Sequence, residues 1–487
     1  MSYGYRPSRS SGPAARGRAS RSEEGGGLTS RHLLWGGLVL LMLLRLVVAV
    51  RMPLVPDEAY YWLWSRHLQW GYLDHPFMIA FWIRVGTFLW GDTPFGVRFC
   101  GLVGFGLAMM WLFLAAERFF PSGRDVGSRA VLLLGVTLMA GIGLVPATPD
   151  VPLFMFLCLA LWSLSGALRA EDAGDPSWGW WVLCGVGLGL AADSKYTAVL
   201  WGVGLAGFVL FGKGGLWRRA GPWLGGIGAV IVFLPVLIWN GAHGWAGLLK
   251  QGGRTFQWHP ERAGQFLVEL LAGQLALLTP WVAVLCLAGL WRSRRDGGLL
   301  LWLVGPALLV FLFHTMGDRV QPNWVWVLYP ALLLAGAAYS RHVRGAVVTG
   351  GVCLLLVYGQ CLTNFLPLSA HLNPVARLGA GWKMMAADLS AEARRAGVST
   401  IVTDDYALAS VLAFQGMGTV VLLGQDARWA YLEGMTRKEV SAALYLKDRH
   451  YGPLSAGTWS LWRKDGKRPV RLYSLELRHD LSGWVIR

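Results

Sequence analysis

Charged residues are scarce in this chain, and their scarcity excludes an ordinary soluble globular protein. Only 15% of the 487 residues are Asp, Glu, Lys or Arg, whereas soluble domains contain about 25%. Hydrophobic residues make up 54% of the sequence, and the mean hydropathy is +0.44. The composition therefore predicts a polytopic α-helical membrane protein.

Acidic residues are fewer than basic ones, 28 against 44, which gives a net charge of +16. Nucleic-acid-binding proteins gather such an excess into a continuous basic stripe. Here the basic residues stand in short clusters between apolar runs, which is typical of cytoplasmic loops under the positive-inside rule. We therefore expect membrane lipids, and no nucleic acid, as partners.

Paired cysteines and internal repeats are also lacking. The six cysteines lie in or at the ends of apolar runs, without the spacing of disulfides or zinc ligands, and are interpreted as small buried hydrophobic residues. No repeat is visible, although many transporters are built from repeats. This second absence weakens a transporter interpretation.

The apolar runs predict about eleven transmembrane helices. The first, 32–50, follows a Ser-, Gly- and Arg-rich segment, 1–31, which we expect to be a disordered cytoplasmic tail before an uncleaved anchor. Ten further spans are predicted at about 96–117, 130–146, 151–168, 178–193, 196–212, 221–239, 264–290, 298–314, 323–340 and 345–364. In the first loop, 53–76, a short interfacial helix should begin at Pro56, and 77–90 should be interfacial or re-entrant.

This count of spans places two kinds of loop on opposite sides of the membrane. Nearly every compact basic cluster falls on the side of the N-terminal tail. The unusual polar residues fall on the other, extracytoplasmic side: Asp57, Glu58, Asp74, His75, Asp150, Lys195, Arg319 and Asn323. The positive-inside rule depends on the basic clusters of the other loops and not on these residues. Their grouping on one face is therefore an independent indication of function.

The last part of the chain, 371–487, has the composition of a soluble domain. Strands are predicted at 399–403, 418–423, 458–463 and 470–477, and helices at 382–396 and 405–414. An odd number of spans places this small α/β domain outside the cytoplasm. The predicted organisation is thus the tail, a membrane domain over 32–365 and this extracytoplasmic domain.

The polar residues of the outer face suit a group transfer at the membrane surface. Asp57 or Glu58 could act as a general base, and Asp150 adds a second acid. Lys195, Arg319 and His75 could bind a phosphate. The rings of Tyr60 and Tyr61, with Asn323, could contact a substrate, although such rings also serve as membrane anchors. Together they predict transfer from a lipid-linked phosphate donor.

Five segments give the chain a family resemblance: PDEAYYWLWS at 56–65, GYLDHP at 71–76, ATPDVPL at 147–153, DSKYT at 193–197 and QPNWVWVLYP at 321–330. In this order they resemble the bacterial GT-C glycosyltransferases of the ArnT-like and protein O-mannosyltransferase-like superfamily (glycosyltransferase family 39). The resemblance covers roughly 32–365. It implies a GT-C fold and a location in the inner membrane.

The resemblance also implies an inverting transfer of a sugar from a polyprenyl phosphate to an extracytoplasmic acceptor. Asp57 would be the base, Asp150 the second-loop acid and Lys195 a ligand of the donor phosphate. The aminoarabinose transferases have Glu-Lys-Pro-Pro where this chain begins with Asp74 and His75. Some relatives bind a metal nearby, which here would involve Asp74 with His243 or His259.

Three alternatives follow from the same residues. The acceptor is either lipid A or another envelope lipid or glycan, or else a protein Ser/Thr hydroxyl. A transporter or flippase of a lipid-linked sugar is the alternative of another class, but transporters usually place ionisable residues near the bilayer midplane. A structural or assembly protein would leave the outer-face acids and cations without a role.

Overall fold

The structure is a computed structural model that describes residues 24–486 apart from 124, 213, 256–257, 341, 370–371, 418, 424–426 and 449–456. Residues 1–23 of the predicted tail, and the loop cations Arg124, Lys213 and Arg341, lie outside the described residues. The rest of that predicted tail is helical, because the first helix already begins at Glu24.

Helices make up the membrane part. They are α1 Glu24–Arg51, α2 Pro56–Arg66, α3 Met78–Trp90, α4 Pro94–Phe119, α5 Val126–Gly135, α6 Asp150–Ala173, α7 Trp178–Ser194, α8 Ala198–Phe211, α9 Ala220–Ala242, α10 Ala246–Thr255, α11 Ala263–Leu278, α12 Pro280–Ser293, α13 Leu299–His314, α14 Tyr329–Tyr339 and α15 Arg344–Thr363. Short 3₁₀ turns lie at Leu216–Arg218, Pro260–Arg262, Arg294–Asp296 and Pro322–Leu328, and a π-turn at Met139–Gly143.

Within the described residues, four helices are long and apolar enough to cross a bilayer, namely α4, α6, α9 and α15. Two bent pairs raise the number to six if each is one broken span: α1 with α2, at 78°, and α11 with α12, at 103°. Several shorter apolar helices accompany them. The polytopic helical architecture is as predicted, whereas the number of eleven spans stays a prediction.

Three predicted spans are not continuous helices. The span 264–290 breaks at Thr279, because Pro280 disfavours helical backbone in the residue before it. The span 130–146 ends at Gly135 and continues only as the π-turn. The span 323–340 begins as a 3₁₀ turn and becomes α-helical at Tyr329.

A buried arginine in α1 explains how the π-turn is tolerated inside the protein. Arg45 donates to the carbonyl oxygens of Gly141 (3.1 Å) and Leu144 (2.8 Å), and also to that of Ala140. Its guanidinium lies 3.8 Å from the centre of the Phe105 ring. Carbonyls that leave the helical ladder need such donors in an apolar core. Arg45 is therefore a charged residue inside an apolar helix, and these carbonyl oxygens satisfy its guanidinium.

Helix α6 occupies the centre of the bundle. It is buried along most of its length and packs against α4 and α7, whereas α9 and α15 expose most of their apolar surface. A helix that is apolar on all sides is expected in such a central position. This position fixes Asp150, the first residue of α6, at one end of the bundle interior.

The C-terminal part is a mixed five-stranded sheet with helices. The strands are β1 Thr400–Thr403, β2 Thr419–Leu423, β3 Thr436–Asp448, β4 Thr458–Asp465 and β5 Arg468–Ile486, in the order β2-β1-β3-β5-β4. Strand β1 is parallel to β2 and β3, while β5 is antiparallel to β3 and β4, and its end also pairs with β2. The helices are α16 Pro374–Leu378, α17 Trp382–Arg395, α18 Tyr406–Phe414 and α19 Ala427–Ala430.

The predicted strands and helices of this part are present, but β3 was missed. Its sequence, TRKEVSAALYLKD, begins with charged residues and contains alanines, which are poor strand formers. Pairing with β5 along nearly its whole length keeps β3 extended. Tertiary pairing has therefore outweighed the local preference.

The sheet domain packs directly on the loop 53–76. Helix α18 lies against α2, and the two share one hydrophobic cluster. The Tyr60 ring of α2 makes edge contacts with Tyr406 (4.9 Å between ring centroids) and Trp429 (5.8 Å). Such aromatic contacts add to the area that they bury. The domain is thus held close to α2, which begins with Asp57 and Glu58.

Candidate functional site

The site is organised by the corner between α1 and α2. Pro56 stands in the first turn of α2, where its missing N–H costs nothing, and Asp57 and Glu58 follow near the positive end of the helix dipole. Glu58 also accepts a hydrogen bond from the backbone N–H of Val55 (3.0 Å). Two adjacent acids therefore begin the helix, but their surroundings differ.

Glu58 forms a buried two-point ion pair with Arg98 of α4. Its Oε1 accepts from Arg98 Nε (2.7 Å) and its Oε2 from Nη2 (2.5 Å). The backbone N–H of Ala147 donates to Oε1 (2.8 Å), and Arg98 also binds the carbonyls of Met52 (2.7 Å) and Pro53 (2.9 Å). This geometry suits a residue that fixes the corner. The predicted catalytic role of Glu58 finds no support in it.

Asp57 differs from Glu58 because its side chain is exposed. Protein surrounds it closely enough that partial desolvation raises the pKa of its carboxyl, and the charges of Glu58 and Asp74 raise that pKa further. A carboxylate with a raised pKa that solvent can reach is well suited to accept a proton. Of the two adjacent acids, Asp57 therefore has the surroundings of a base.

Asp74 joins three elements. Its Oδ1 pairs with Lys250 of α10 (2.6 Å), and its Oδ2 accepts from the Tyr60 hydroxyl (2.9 Å) and from Arg428 Nε of α19 (3.1 Å). Burial would raise the pKa of Asp74, but the Lys250 bond and the charges of Lys250 and Arg428 hold it below its usual value. Asp74 is thus an ionised carboxylate at the junction with the C-terminal domain.

The predicted metal ligands do not come together. Asp74 is engaged by cations, His259 lies 3.5 Å from Glu261, and His243 Nδ1 contacts the Trp239 carbonyl oxygen (2.8 Å). Within the described part of the chain, no three His, Cys, Asp or Glu side chains form a group that could hold a metal ion. These donors do not fit a divalent metal centre.

A second cluster does bring predicted residues together. Lys195 Nζ lies 2.7 Å from Asp150 Oδ1, and Asn323 Nδ2 donates to Asp150 Oδ2 (2.7 Å). Asp150 and Lys195 are both buried. The three residues come from loops that are distant in the sequence, and their contact places those loops at the same end of the bundle. The carboxylate that binds Lys195 is thus Asp150, from another loop.

Lys195 and His75 line a cavity of about 310 Å³, together with Tyr196, Thr197, Gln251, His314 and Trp324 among others. Burial and the charge of Lys195 lower the pKa of His75 to about 4, so the imidazole is neutral near pH 7. Among the described residues, neither its buried Nδ1 atom nor the buried Oγ1 atom of Thr197 has a hydrogen-bond partner. Buried polar atoms of this kind usually have partners, so the cavity wall is suited to a polar ligand.

Tyr60 and Tyr61 are placed differently from the prediction. Both rings are buried between α2 and its neighbours, and Trp62 and Trp64 are buried beside them. The Trp64 ring stacks on Tyr72 at 4.2 Å. These aromatics form the core that supports the loop, rather than a sugar platform or a membrane belt.

Arg319 is not part of either cluster. It is exposed, and its Nε and Nη2 atoms bind the Glu269 carboxylate at 2.5 and 3.1 Å. The predicted phosphate contact by Arg319 is therefore not supported by its geometry.

Sequence reasoning missed Arg98, Lys250 and Arg428, which bind acids of the site, and His314, which lines the cavity. Arg98 is a single charge at the start of an apolar run, and that unusual position was a usable signal. Lys250 and Arg428 lie in segments without a motif, so only the fold reveals their approach to Asp74.

Comparison with known proteins supports the glycosyltransferase class that the sequence predicts. A family model described as dolichyl-phosphate-mannose-protein mannosyltransferase matches residues 74–239. The lipid A galacturonosyltransferase RgtD of Rhizobium johnstonii is 27% identical over 369 residues, covering 72% of this chain and 75% of the relative. The undecaprenyl phosphate-alpha-4-amino-4-deoxy-L-arabinose arabinosyl transferase 2 of Pseudomonas fluorescens is 28% identical over 331 residues. That match covers 60% of this chain but only 56% of the relative.

The fold has a counterpart among solved structures. The crystal structure of ArnT from Cupriavidus metallidurans bound to undecaprenyl phosphate matches with a TM-score of 0.60 and 16% identity, covering 91% of this chain and 98% of that one. The predicted resemblance to ArnT-like GT-C glycosyltransferases is confirmed, and so is the polytopic helical architecture.

Proposed function

We propose that this ArnT-like chain transfers a sugar from a polyprenyl-phosphate carrier to an acceptor at the extracytoplasmic face of the inner membrane, with inversion at the sugar. The glycosyltransferase class predicted from the sequence is confirmed by the family model and by the two relatives. The residue roles, the orientation in the membrane and the acceptor are what the proposal adds.

One observation carries the residue roles. The cavity is lined by His75, by Lys195, which Asp150 holds in place, and by Gln251, whose Nε2 atom donates to the backbone carbonyl oxygen of Asp74 (2.8 Å). A lysine ammonium is a natural partner for a phosphate. A neutral imidazole and the Thr197 hydroxyl add uncharged donors. The polyprenyl phosphate is therefore assigned to this cavity, with its apolar tail in the membrane.

In the proposed step, the acceptor oxygen attacks the anomeric carbon of the donor sugar. A carbon–oxygen bond forms to the acceptor while the bond between that carbon and the carrier phosphate oxygen breaks. Asp57 takes the acceptor proton, and the polyprenyl phosphate leaves with the electron pair, stabilised by Lys195. Asp150 and Asn323 hold Lys195 in place, whereas Glu58 and Arg98 hold α2.

Lipid A is the acceptor that we favour. One relative is named for transfer to lipid A, and a lipid acceptor would reach the site within the membrane plane. A protein Ser/Thr hydroxyl is the second candidate, because the matched family model describes a protein mannosyltransferase. Both hydroxyl acceptors fit the same proton transfer to Asp57.

The orientation follows from the basic loops. We place the N-terminus in the cytoplasm and the site, with the sheet domain, outside it. The contacts Asp150–Lys195 and Asp150–Asn323 support the grouping of these three loops on one side, since they require the loops to share one end.

The experiment is mass spectrometry of lipid A and of envelope glycoproteins from cells with and without the gene, and from the complemented strain. The proposal expects one sugar mass to disappear from lipid A in the deletion strain and to return on complementation. Loss of a sugar from proteins alone would favour the second candidate. Unchanged lipids, glycans and proteins would overturn the proposal.

A further inference from the structure

Resting on the function proposed above, we propose that Arg428 of the C-terminal domain is a positioning residue for the transfer reaction, acting on Asp57 through Asp74. The domain would then be part of the active site rather than an appendage. Its own contribution is a cation that is paired with Asp74 of the first loop.

The contact between the domain and the loop is specific. Arg428 Nε lies 3.1 Å from Asp74 Oδ2, and its guanidinium lies 4.1 Å from the centre of the Tyr406 ring. Both charged side chains are about one-fifth to one-quarter exposed, 24% for Arg428 and 18% for Asp74. A partly buried pair is screened less by salt than a surface pair. The Tyr406 ring also restricts the orientation of the guanidinium.

The segment after Arg428 is anchored separately. Gln69 Nε2 donates to the carbonyl oxygen of Tyr431 (2.7 Å), and Gln69 Oε1 accepts from the N–H of Glu433 (3.0 Å). One side chain thus makes two hydrogen bonds with one backbone segment. This anchor holds the domain on the first loop without contributing charge. Docking and charge can therefore be removed independently.

Arg428 reaches the helix of Asp57 through Asp74, whose Oδ2 accepts from Arg428 Nε (3.1 Å) and from the Tyr60 hydroxyl of α2 (2.9 Å). Several titratable and charged groups surround Asp57 from the packed elements: Glu58 and Tyr61 of α2, Asp74 of the loop and Tyr406 of α18, with Arg98, Lys250 and Arg428 bound to these acids. The negative charge of Asp74 raises the pKa of Asp57. Removing Arg428 leaves that negative charge less compensated, so Asp57 should hold its proton more tightly.

The test is the pH dependence of transfer by the purified full-length protein. The envelope lipid of a strain that lacks this chain supplies both unused donor and acceptor, and the product is quantified by mass. The variants are Arg428→Gln, Arg428→Lys and Gln69→Ala. The matched control is Arg478→Gln, since Arg478 also lies over a tyrosine ring (3.9 Å from the centre of Tyr445) and binds a carboxylate in the same domain.

Arg428→Gln should move the acid limb of kcat/KM upward by about half to one pH unit. Arg428→Lys should restore most of the original limb because it keeps the charge. Gln69→Ala and Arg478→Gln should leave the acid limb of kcat/KM at the same pH as in the wild type, even if Gln69→Ala lowers the rate. An Arg428→Gln profile that superimposes on the wild type, or a shift of equal size in Gln69→Ala, would overturn the inference.

A further pair of variants tests the route through Asp74. In an Asp74→Asn background, Arg428→Gln should cause a much smaller additional shift, because the Asp74 carboxylate no longer holds the guanidinium at the loop. A full shift in that background would contradict the route through Asp74. If Asp57→Asn abolishes transfer but the pH profile of Arg428→Gln matches that of the wild type, the proposed function remains intact. Only the inference about Arg428 is then removed.

Discussion

Lys195 and Asp150 form a buried ion pair in which Nζ of the lysine lies 2.7 Å from Oδ1 of the aspartate. The pair joins the loop after α7 to the first residue of α6, and Asn323 binds the second oxygen of the aspartate. Because the pair holds the ammonium in place, the carrier phosphate would meet a cation that is already oriented. Preorganised charge of this kind needs little rearrangement when the leaving group develops its charge.

The first prediction concerns the stability that this pair provides. Asp150→Ala leaves a buried lysine without its carboxylate and should destabilise the protein by about 3–5 kcal/mol. Thermal unfolding of the detergent-solubilised protein would show a lower Tm. Asp175→Ala, at an exposed position just beyond α6, is the control and should have little effect. Equal Tm values for the two variants would contradict a buried pair.

The second prediction distinguishes Lys195 from Arg319, which the sequence analysis both assigned to the donor phosphate. Lys195→Met should weaken the binding of undecaprenyl phosphate by about 10- to 100-fold, the effect of losing a charge-assisted hydrogen bond. Arg319→Gln should bind normally, because Arg319 is occupied by Glu269 on the exposed surface. The change in tryptophan fluorescence on titration with the carrier lipid measures both. Weaker binding in Arg319→Gln together with normal binding in Lys195→Met would instead assign the phosphate site to Arg319.

The third prediction concerns Glu58. Glu58→Ala leaves Arg98 buried without its partner, so it should lower the free energy of unfolding by about 3 kcal/mol or more. The protein that remains folded should still catalyse transfer, although more slowly. Tm and transfer rate, measured on the same preparation, check this. A variant with normal Tm and abolished transfer would make Glu58, rather than Asp57, the base.

The fourth prediction concerns orientation in the membrane. Gln321 and Arg295 are both exposed and lie at loops assigned to opposite sides. In a background with the exposed Cys353 replaced by Ala, Gln321→Cys should react with an impermeant thiol reagent in cells with a permeable outer membrane. Arg295→Cys should react only after the inner membrane is opened. The opposite labelling pattern would invert the topology.

Much of the site was accessible from the sequence because loop alternation is a strong constraint. Apolar run lengths and basic clusters assigned Asp150, Lys195 and Asn323 to one face, and the structure joins them by hydrogen bonds. Helix starts were equally visible. Asp405, for instance, caps α18 by accepting from the N–H groups of Ala407 and Leu408.

The remaining features depend on contacts between distant segments. A charged residue in an apolar run, such as Arg45 or Arg98, has a partner that only the fold reveals. Arg428 reaches Asp74 across 354 positions of the chain. The burial of Tyr60 and Tyr61 also follows from the docking of the C-terminal domain, which no local pattern predicts.

The most direct test of the account is transfer by Asp57→Asn, measured together with binding of undecaprenyl phosphate. Asparagine keeps the size of the side chain but cannot accept the acceptor proton. The account predicts that transfer falls by about 10²-fold or more, while carrier binding and Tm stay close to those of the wild type. Transfer at the wild-type rate in a folded, carrier-binding variant would contradict the assignment of Asp57 as the base.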